Sequence, residues 1–461
     1  MSSIPLAAQP APASAPPALW KIYSRILVPM MLTNVLQSAG GTLDSIYLGQ
    51  MIGVDAIAAA SAFFPVFFLL LALAMGLSTG ATVLIGQAWG AGDRAAVRKV
   101  AGSALALAVC VGVAVCVAGG LWAPALMHAL GTPPDIAPEA ARYARLMLMG
   151  APLLLVLWLA TSLSRGVGDA VTPLWALALA TVVALALTPA FIRGWGGLPR
   201  LGVCSAALST LLGSAVALVW MLHRWLRKGH PLAPDAALLR EVRLDPVLLR
   251  KLIGLGLPTG LQMLSMALGE IVLIGLVNRH GMAATAAYGA VTQLMGWLQM
   301  PAMSLGITAT ILASHAIGAG RGGRLGAIMR VGLGWNLALT GTFVAAAYVL
   351  APFALRCFLT DPAVIALALQ LLHIVAWAML MRGASMVLSG VMRASGTVWW
   401  PTAMGVSAIF VVELPLAYLL NARLGLTGIW WAYCAAFTAS LGMQAGFYAF
   451  VWRRRAVQRL I

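Results

Sequence analysis

Long runs without Asp, Glu, Lys or Arg constrain the fold of this chain more than any other feature. They include residues 56–92, 100–134, 146–164, 170–192, 280–320, 331–355 and 424–452. Each is close to or longer than the roughly 20 residues that a helix needs to cross the hydrocarbon layer of a bilayer. Glycine and proline recur inside the runs, which argues against strands and is tolerated in membrane helices. The pattern therefore predicts a bundle of transmembrane helices.

Composition excludes a soluble globular protein, because 62% of the residues are hydrophobic and only 9% are charged. Soluble domains carry roughly a quarter charged residues. We place twelve helices near residues 22–48, 57–85, 95–121, 137–160, 170–192, 201–226, 249–277, 283–313, 325–351, 363–386, 398–420 and 425–452. The predicted fold class is all-α integral membrane.

The net charge of +17 is explained by membrane orientation. Most basic residues fall on one side of the predicted bundle, including those in the connection between helices six and seven: Arg224, Arg227, Lys228, Arg240, Arg243, Arg250 and Lys251. An excess of Lys and Arg marks cytoplasmic loops, so we predict a multi-pass protein of the cytoplasmic (inner) membrane with both termini cytoplasmic. The basic residues are not gathered with aromatics on one soluble face, which excludes nucleic acid as a partner.

The two halves of the chain repeat each other at one constant offset. Residues 74–92 match residues 302–320 at ten of nineteen positions, and RGVGDAVTP at 165–173 aligns with RASGTVWWP at 393–401 in the same register. The repeat predicts two pseudo-symmetric six-helix bundles, with ligands bound near the membrane midplane. The expected organisation is a disordered cytoplasmic tail (1–20), an N-terminal lobe (21–226), a cytoplasmic linker (227–248), a C-terminal lobe (249–452) and a basic cytoplasmic tail (453–461).

Three of the twelve carboxylates, Asp44, Glu270 and Glu413, fall inside predicted membrane helices. A charge at membrane depth costs roughly 2.5 to 3.5 kcal/mol on insertion scales, so each is a candidate functional group. Competition between a proton and a cationic compound for one carboxylate would couple two opposite flows. The alternatives are a solvated Asp44 at the outer helix end, a structural Glu270, and a Glu413 that pairs with a polar neighbour at Pro415.

Polar residues lie on one face of the first helix and of the seventh. Thr33, Gln37 and Asp44 are spaced by four and seven, with Pro29 as a predicted kink on the same face. In the seventh helix Gln262 lies four residues after Pro258, and Glu270 joins this face only loosely. The sequence thus predicts a polar stripe in each lobe.

The segment GLSTG at residues 76–80 fits the serine-hydrolase pattern but lies within a predicted helix. The pattern needs a strand–turn–helix context to aim its serine. Close helix packing through small residues is the alternative. We therefore predict that the chain is not an enzyme; a membrane enzyme would depend on Ser78.

With its duplicated halves, the segments GQAWGAGD (86–93), RGVGDAVTP (165–173) and LGVCSAALST (201–210), the sequence resembles the multidrug and toxic compound extrusion (MATE) family, in particular its DinF-like branch. The resemblance covers residues 20–455. It implies an antiporter that expels organic, often cationic and amphipathic compounds in exchange for protons or sodium ions, works as a monomer and has no cofactor. It also implies a cation-responsive cavity in the N-terminal lobe, to which Pro29, Gln37 and Asp44 correspond.

The sequence departs from the family pattern in the fifth helix. Family members often carry an asparagine and an aspartate there, where this chain has Ala184 and Thr188. Thr188 and Thr210 remain as possible coupling-site ligands, and proton coupling is favoured over sodium.

The residues that we expect to contact substrate are Asn34, Gln262, Glu270 and Glu413, with Pro29 as the hinge. A rival function is a lipid or lipid-linked sugar flippase of the same broad superfamily. It would need a deep basic cavity for phosphate, for which Arg382 is the main candidate.

Overall fold

The structure, a computed structural model, describes residues 18–197, 199–356, 359–455 and 457–461. Residues 1–17 of the predicted tail lie outside the described residues. The described residues form seventeen α-helices and no strand. These are α1 (Leu19–Met51), α2 (Val54–Ala62), α3 (Phe64–Gly90), α4 (Arg94–Ala129), α5 (Ala137–Met149), α6 (Ala151–Gly166), α7 (Val171–Arg193), α8 (Cys204–Lys228), α9 (Ala236–Arg240), α10 (Pro246–Asn278), α11 (Met282–Gly318), α12 (Leu325–Arg356), α13 (Pro362–Val375), α14 (Ala378–Ala394), α15 (Trp399–Ser407), α16 (Leu414–Leu424) and α17 (Leu426–Phe450).

Ten helical segments of the described chain are long and apolar enough to cross a membrane. Two further spans are bent pairs: α5 and α6 meet at 50°, and α13 and α14 meet at 42°. Counting each pair as one span gives twelve. The predicted all-α membrane fold is therefore confirmed, although two of the spans are not the straight helices that we placed from the sequence.

Prolines account for most of the irregular points. Pro152 follows the break at Gly150, and Pro65 lies at the start of α3 next to the break at Phe63. A proline inside a helix lacks the N–H donor and its ring clashes with the carbonyl four residues earlier. Pro415 has the same effect on the eleventh span, where Ala408–Glu413 form a π-helical turn between α15 and α16. By contrast, α1 continues without a break through Pro29.

The internal repeat is visible in the backbone. Gly92 and Gly320 have φ of 76° and 70°, and Gly168 and Gly396 have φ of 89° and 84°. Both pairs are related by the offset of the sequence repeat, and their members end equivalent helices. Because a positive φ is strained for residues with a Cβ, the repeat preserves glycine at the points where the chain turns.

The two halves exchange the first parts of their first helices. Tyr23 and Leu27 of α1 lie in a core cluster with Leu305 of α11, and the Tyr23 hydroxyl donates to the Leu305 carbonyl at 3.0 Å. Reciprocally, Leu252 of α10 lies in a core cluster with Leu84 of α3. The side of the bundle where α1 begins, and where α3, α6, α11 and α14 end, is called the terminal face below.

Candidate functional site

The two halves meet closely at the terminal face. Gly90 lies against the backbone of His315, and Gly318 lies against the backbone of Gln87, with no space for a Cβ atom at either glycine. His315 Nε2 is also 2.7 Å from the Gly166 carbonyl oxygen, across the two halves. Small residues allow helix backbones to approach in this way. The glycine-rich repeat segments thus form the contact between the halves.

The C-terminal residues add to this contact. Gln87 donates through Nε2 to the Ala394 carbonyl at 2.7 Å, and its Oε1 accepts from the Leu460 backbone N–H at 2.8 Å. Lys251 Nζ donates to the Leu460 carbonyl. One glutamine of α3 therefore joins α14 and the end of the chain. The hydrogen bonds between described residues of the two halves all lie between the middle of the bundle and the terminal face.

Asp44 and Thr188 lie together in the first half, as the sequence analysis expects of coupling-site residues. The fully buried Thr188 donates from Oγ1 to Asp44 Oδ1 at 3.1 Å, and the same hydroxyl is 2.9 Å from the Ala184 carbonyl. Asp44 itself is partly exposed. The pair joins α1 to α7, two of the helices that are long and apolar enough to cross a membrane.

The remaining predicted residues of the first half do not join that pair. Gln37 is exposed and Thr210 is partly buried, and neither side chain hydrogen-bonds to a described residue. Thr33 bonds back to the Pro29 carbonyl at 2.8 Å. Asn34 donates to Ser304 Oγ of α11 at 2.9 Å, so it connects the two halves.

The second half contains an open cavity of about 1140 Å³, counted with the open space that adjoins it, with both polar and apolar walls. Its walls come from α10, α11, α14, the π-helical turn and α17, and they include Gln262, Glu270, Arg382 and Glu413. Three of the four predicted substrate-binding residues therefore line one cavity. Asp44 does not line it.

Two tyrosines bind the Glu270 carboxylate. Tyr288 donates to Oε1 at 2.5 Å and Tyr433 donates to Oε2 at 3.0 Å, while the two hydroxyls are 2.9 Å apart. The sequence analysis missed both tyrosines. Their proximity depends on the packing of α10, α11 and α17, and no spacing along the chain signals it.

Glu413 ends the π-helical turn and is only 6% exposed. It makes no hydrogen bond with a described residue, and no ion-pair partner lies within 4.0 Å of it in the described part of the chain. π-Helical turns occur often at functional sites. The carboxylate lines the cavity without a hydrogen bond or close ion pair to any described residue.

A second cavity, of about 1020 Å³ with its adjoining open space, lies between the halves. It contains three arginines: Arg165 from α6, and Arg382 and Arg393 from α14. Arg393 Nη2 donates to Gln262 Oε1 at 2.5 Å. Several methionines and small hydroxyl residues complete the wall. The cavity therefore combines basic arginine side chains with a largely apolar methionine-rich wall.

Metal chemistry has no support in the described residues, which contain no group of three or more His, Cys, Asp or Glu side chains that would hold a metal ion. Gly76 and Gly80 of the serine-like segment lie against the backbone of α10, at Gly256 and Leu252. This confirms the packing explanation for GLSTG.

Comparison with known proteins agrees with this architecture. The MatE family model matches residues 29–190 and again residues 258–419, once in each half. The probable multidrug resistance protein YoeA of Bacillus subtilis (strain 168) is 39% identical over 448 residues, 96% of each chain. The FAD transporter of Shewanella oneidensis is 27% identical over 345 residues, 74% of this chain and 75% of that protein.

Among solved structures, a MOP superfamily transporter from Pyrococcus furiosus Vc1 (DSM3638) has the same fold. Its TM-score is 0.83 at 23% identity, over 94% of this chain and 95% of that one. The matched proteins are transporters and not enzymes. The chain is a multi-pass membrane protein that belongs to the MATE family of multidrug efflux transporters.

Proposed function

We propose that this transporter is a secondary antiporter of the inner membrane that exports amphipathic organic compounds in exchange for protons. The observation that carries the proton part is the hydrogen bond between Thr188 and Asp44, which joins two candidate membrane spans. A carboxylate inside a membrane span carries a free-energy cost, so its presence there indicates a function. One hydroxyl donor holds it in place, and no cation partner lies within 4.0 Å among the described residues.

In this mechanism Asp44 accepts a proton from the outside. Loss of its charge weakens the bond from Thr188, because a hydrogen bond to a charged acceptor is stronger than one to a neutral acceptor. Helix α1 then bends at Pro29, the cavity that the family resemblance implies in the first half shrinks, and the substrate leaves. The membrane potential assists the inward step, since moving one elementary charge through 100 mV is worth about 2.3 kcal/mol.

The orientation follows from the loops. We propose that the terminal face is cytoplasmic, because the basic connection between α8 and α10 lies there. The close contact between the halves at that face would then correspond to an outward-open state. The transporter works as a monomer, without a cofactor and without a nucleic-acid partner.

Sodium is the alternative coupling ion. Hard cations prefer several oxygen ligands, whereas the only hydrogen-bonding partner of the Asp44 side chain among the described residues is Thr188. Thr210 would have to supply another ligand, and Ala184 has no oxygen in its side chain to contribute. The proton needs only the carboxylate.

Reconstituted vesicles with separately imposed proton and sodium gradients test the coupling ion. The proposal expects export of an organic dye when only a proton gradient is present, and none with a sodium gradient at equal pH on both sides. Export driven by sodium alone would reject proton coupling, and export driven by neither gradient would reject antiport.

A flippase for lipids or lipid-linked sugars is a second candidate, favoured by one observation. Arg165, Arg382 and Arg393 line the cavity between the halves, and arginine forks match phosphate geometry. Dithionite quenching of fluorescently labelled lipids in the same vesicles tests it. Protein-dependent movement of labelled lipid between leaflets would support the flippase, and its absence would reject it.

A further inference from the structure

The three arginines of the cavity between the halves have no ion-pair partner among the described residues. The ion pairs among the described residues join Arg98, Lys99 and His230 to acids, and none includes Arg165, Arg382 or Arg393. The cavity lining that the structure describes contains no carboxylate. An unpaired charge inside a membrane protein is expensive, so three in one cavity require an explanation.

The neighbouring cavity of the second half shares Arg382 and Arg393 with this one and contains two acids. Glu270 and Glu413 line it, but neither carboxylate lies within 4.0 Å of either guanidinium. They attract Arg382 across a gap and leave its N–H donors unused.

The guanidinium groups retain unused donors. Among the described residues, the Arg382 guanidinium has one hydrogen bond, to Met266 Sδ at 3.9 Å, and one cation–π contact, with its Cζ 5.1 Å from the centre of the Phe437 ring. The Nε atoms of Arg382 and Arg393 are buried without a hydrogen-bond partner. An arginine offers five N–H donors in a planar fork, which fits the oxygens of a carboxylate or phosphate.

The helix dipole stabilises the charges of Arg165 and Arg393 but not that of Arg382. Arg165 and Arg393 lie in the last turns of α6 and α14, where a cation is favourable. Arg165 also bonds to Thr161 and Ser162 of its own helix. Arg382 lies in the second turn of α14, far from the helix end that favours a cation. Within the described part of the chain, the charge of Arg382 is therefore balanced only by Glu270 and Glu413, whose carboxylates lie more than 4.0 Å away.

The rest of the wall suits an apolar body attached to such an anion. Met75, Met263, Met266, Met303 and Met386 line the cavity. Methionine is flexible and polarisable, and it recurs at surfaces that accept varied ligands.

We propose that the cavity between the halves binds an organic oxyanion, such as a carboxylate or phosphate on an apolar body, with Arg382 as its main ligand and Arg165 and Arg393 beside it. This proposal rests on the proposed export function. It specifies the substrate class as organic anions, whereas the family resemblance alone suggests cations. The oxyanion belongs either to a soluble compound or to a lipid headgroup.

The test uses two xanthene dyes of similar size, the anion carboxyfluorescein and the cation rhodamine 6G. Dissociation constants are measured by fluorescence anisotropy for the full chain in phosphatidylcholine nanodiscs. The native protein should bind carboxyfluorescein at least about tenfold more tightly than rhodamine 6G, which is the effect of roughly one charge-assisted hydrogen bond. Equal affinity for the two dyes, or tighter binding of rhodamine 6G, overturns the proposal from the native protein alone.

Variants locate the site. Arg382→Gln should weaken carboxyfluorescein binding about tenfold to a hundredfold, and Arg382→Lys should lie between it and the native protein. Arg423→Gln is the matched control, because Arg423 is exposed on α16 outside the cavity, and it should bind as the native protein does. A folded Arg382→Gln variant with native affinity for carboxyfluorescein overturns the proposal.

Two further measurements distinguish the source of the oxyanion and test the transport mechanism separately from binding. Nanodiscs that also contain phosphatidylglycerol compete with carboxyfluorescein if a lipid headgroup supplies the oxyanion, and do not if a soluble compound does; both results support an oxyanion site. Transport in vesicles is scored separately. Arg382-dependent binding without proton-driven export would reject antiport alone, and export of rhodamine 6G without carboxyfluorescein binding would reject the oxyanion site alone.

Discussion

The contact between α3 and α10 gives a quantitative prediction. Gly76 and Gly256 face each other across it: a Cβ atom on Gly256 would lie 2.5 Å from the Gly76 carbonyl oxygen, and one on Gly76 would lie 2.8 Å from the Gly256 carbonyl oxygen. Ordinary contacts begin at 3.4 Å. The change Gly256→Ala therefore requires the two backbones to separate by about 0.9 Å, the difference between 3.4 and 2.5 Å.

Overpacking of this kind costs roughly 1 to 3 kcal/mol. Because the clash exists only when the halves meet as they do here, the cost falls on this conformation. The population of the state that is closed at the terminal face should then fall by about 5-fold to 150-fold relative to states in which the halves separate there.

Double electron–electron resonance measures this population. Spin labels at Arg227 of the first half and Arg321 of the second, both exposed at the terminal face, report the separation of the halves in a cysteine-free background. Gly256→Ala should shift the distance distribution to longer values. Gly254→Ala is the matched control on the same helix, because nothing lies within 4 Å of its added Cβ. A folded Gly256→Ala variant with the native distribution would refute the reasoning.

Three further changes have expected outcomes. Thr188→Val should slow proton-driven dye export in vesicles about tenfold, and Thr188→Ser should restore it, because the lost bond donates to a charged acceptor; an unchanged initial rate in Thr188→Val would contradict its role. Gln87→Leu should speed hydrogen exchange in residues 457–461, since it removes the acceptor for the Leu460 N–H, and unchanged exchange would contradict the contact. Lys99 lies 2.7 Å from Asp245, and its hydrogen bond and charge hold the pKa of Asp245 below its ordinary value of 3.8. That stabilisation is complete above the unfolded-state pKa and is lost as the pH falls toward the folded-state pKa. The melting temperature of Asp245→Asn should therefore lose this part of its dependence on acidic pH. Equal pH dependence of the melting temperature in the native protein and the variant would argue against the stabilising contact.

The bundle and its repeat were predictable because apolar run length and self-similarity at one offset can both be read directly from the sequence. The length of the apolar runs indicates which helices cross the membrane. The constant offset of the repeat makes Gly92 equivalent to Gly320. The bends were not predictable in the same way: Pro152 and Pro415 distort their spans, while Pro29 does not break α1. The effect of a proline depends on neighbouring helices that satisfy the freed backbone groups.

The site was predictable only in part. Asp44, Glu270 and Glu413 stand out because acids are rare in apolar helices. The tyrosines around Glu270 do not, because Tyr288 and Tyr433 are ordinary in such helices and belong to helices far apart in the chain. The three arginines were visible as single residues, but their approach to one cavity depends on how the halves meet: α6 packs on α3, α14 packs on α11, and α3 packs on α11.

The most direct test compares Asp44→Asn with Asp55→Asn in vesicles driven by an imposed proton gradient. Asp55 is an exposed acid at the start of α2 and controls for the loss of one carboxylate. We expect Asp44→Asn to reduce dye export to the level of protein-free vesicles, while Asp55→Asn stays within about twofold of native, as surface substitutions usually do. Native export by a folded Asp44→Asn protein would contradict the proposed proton site.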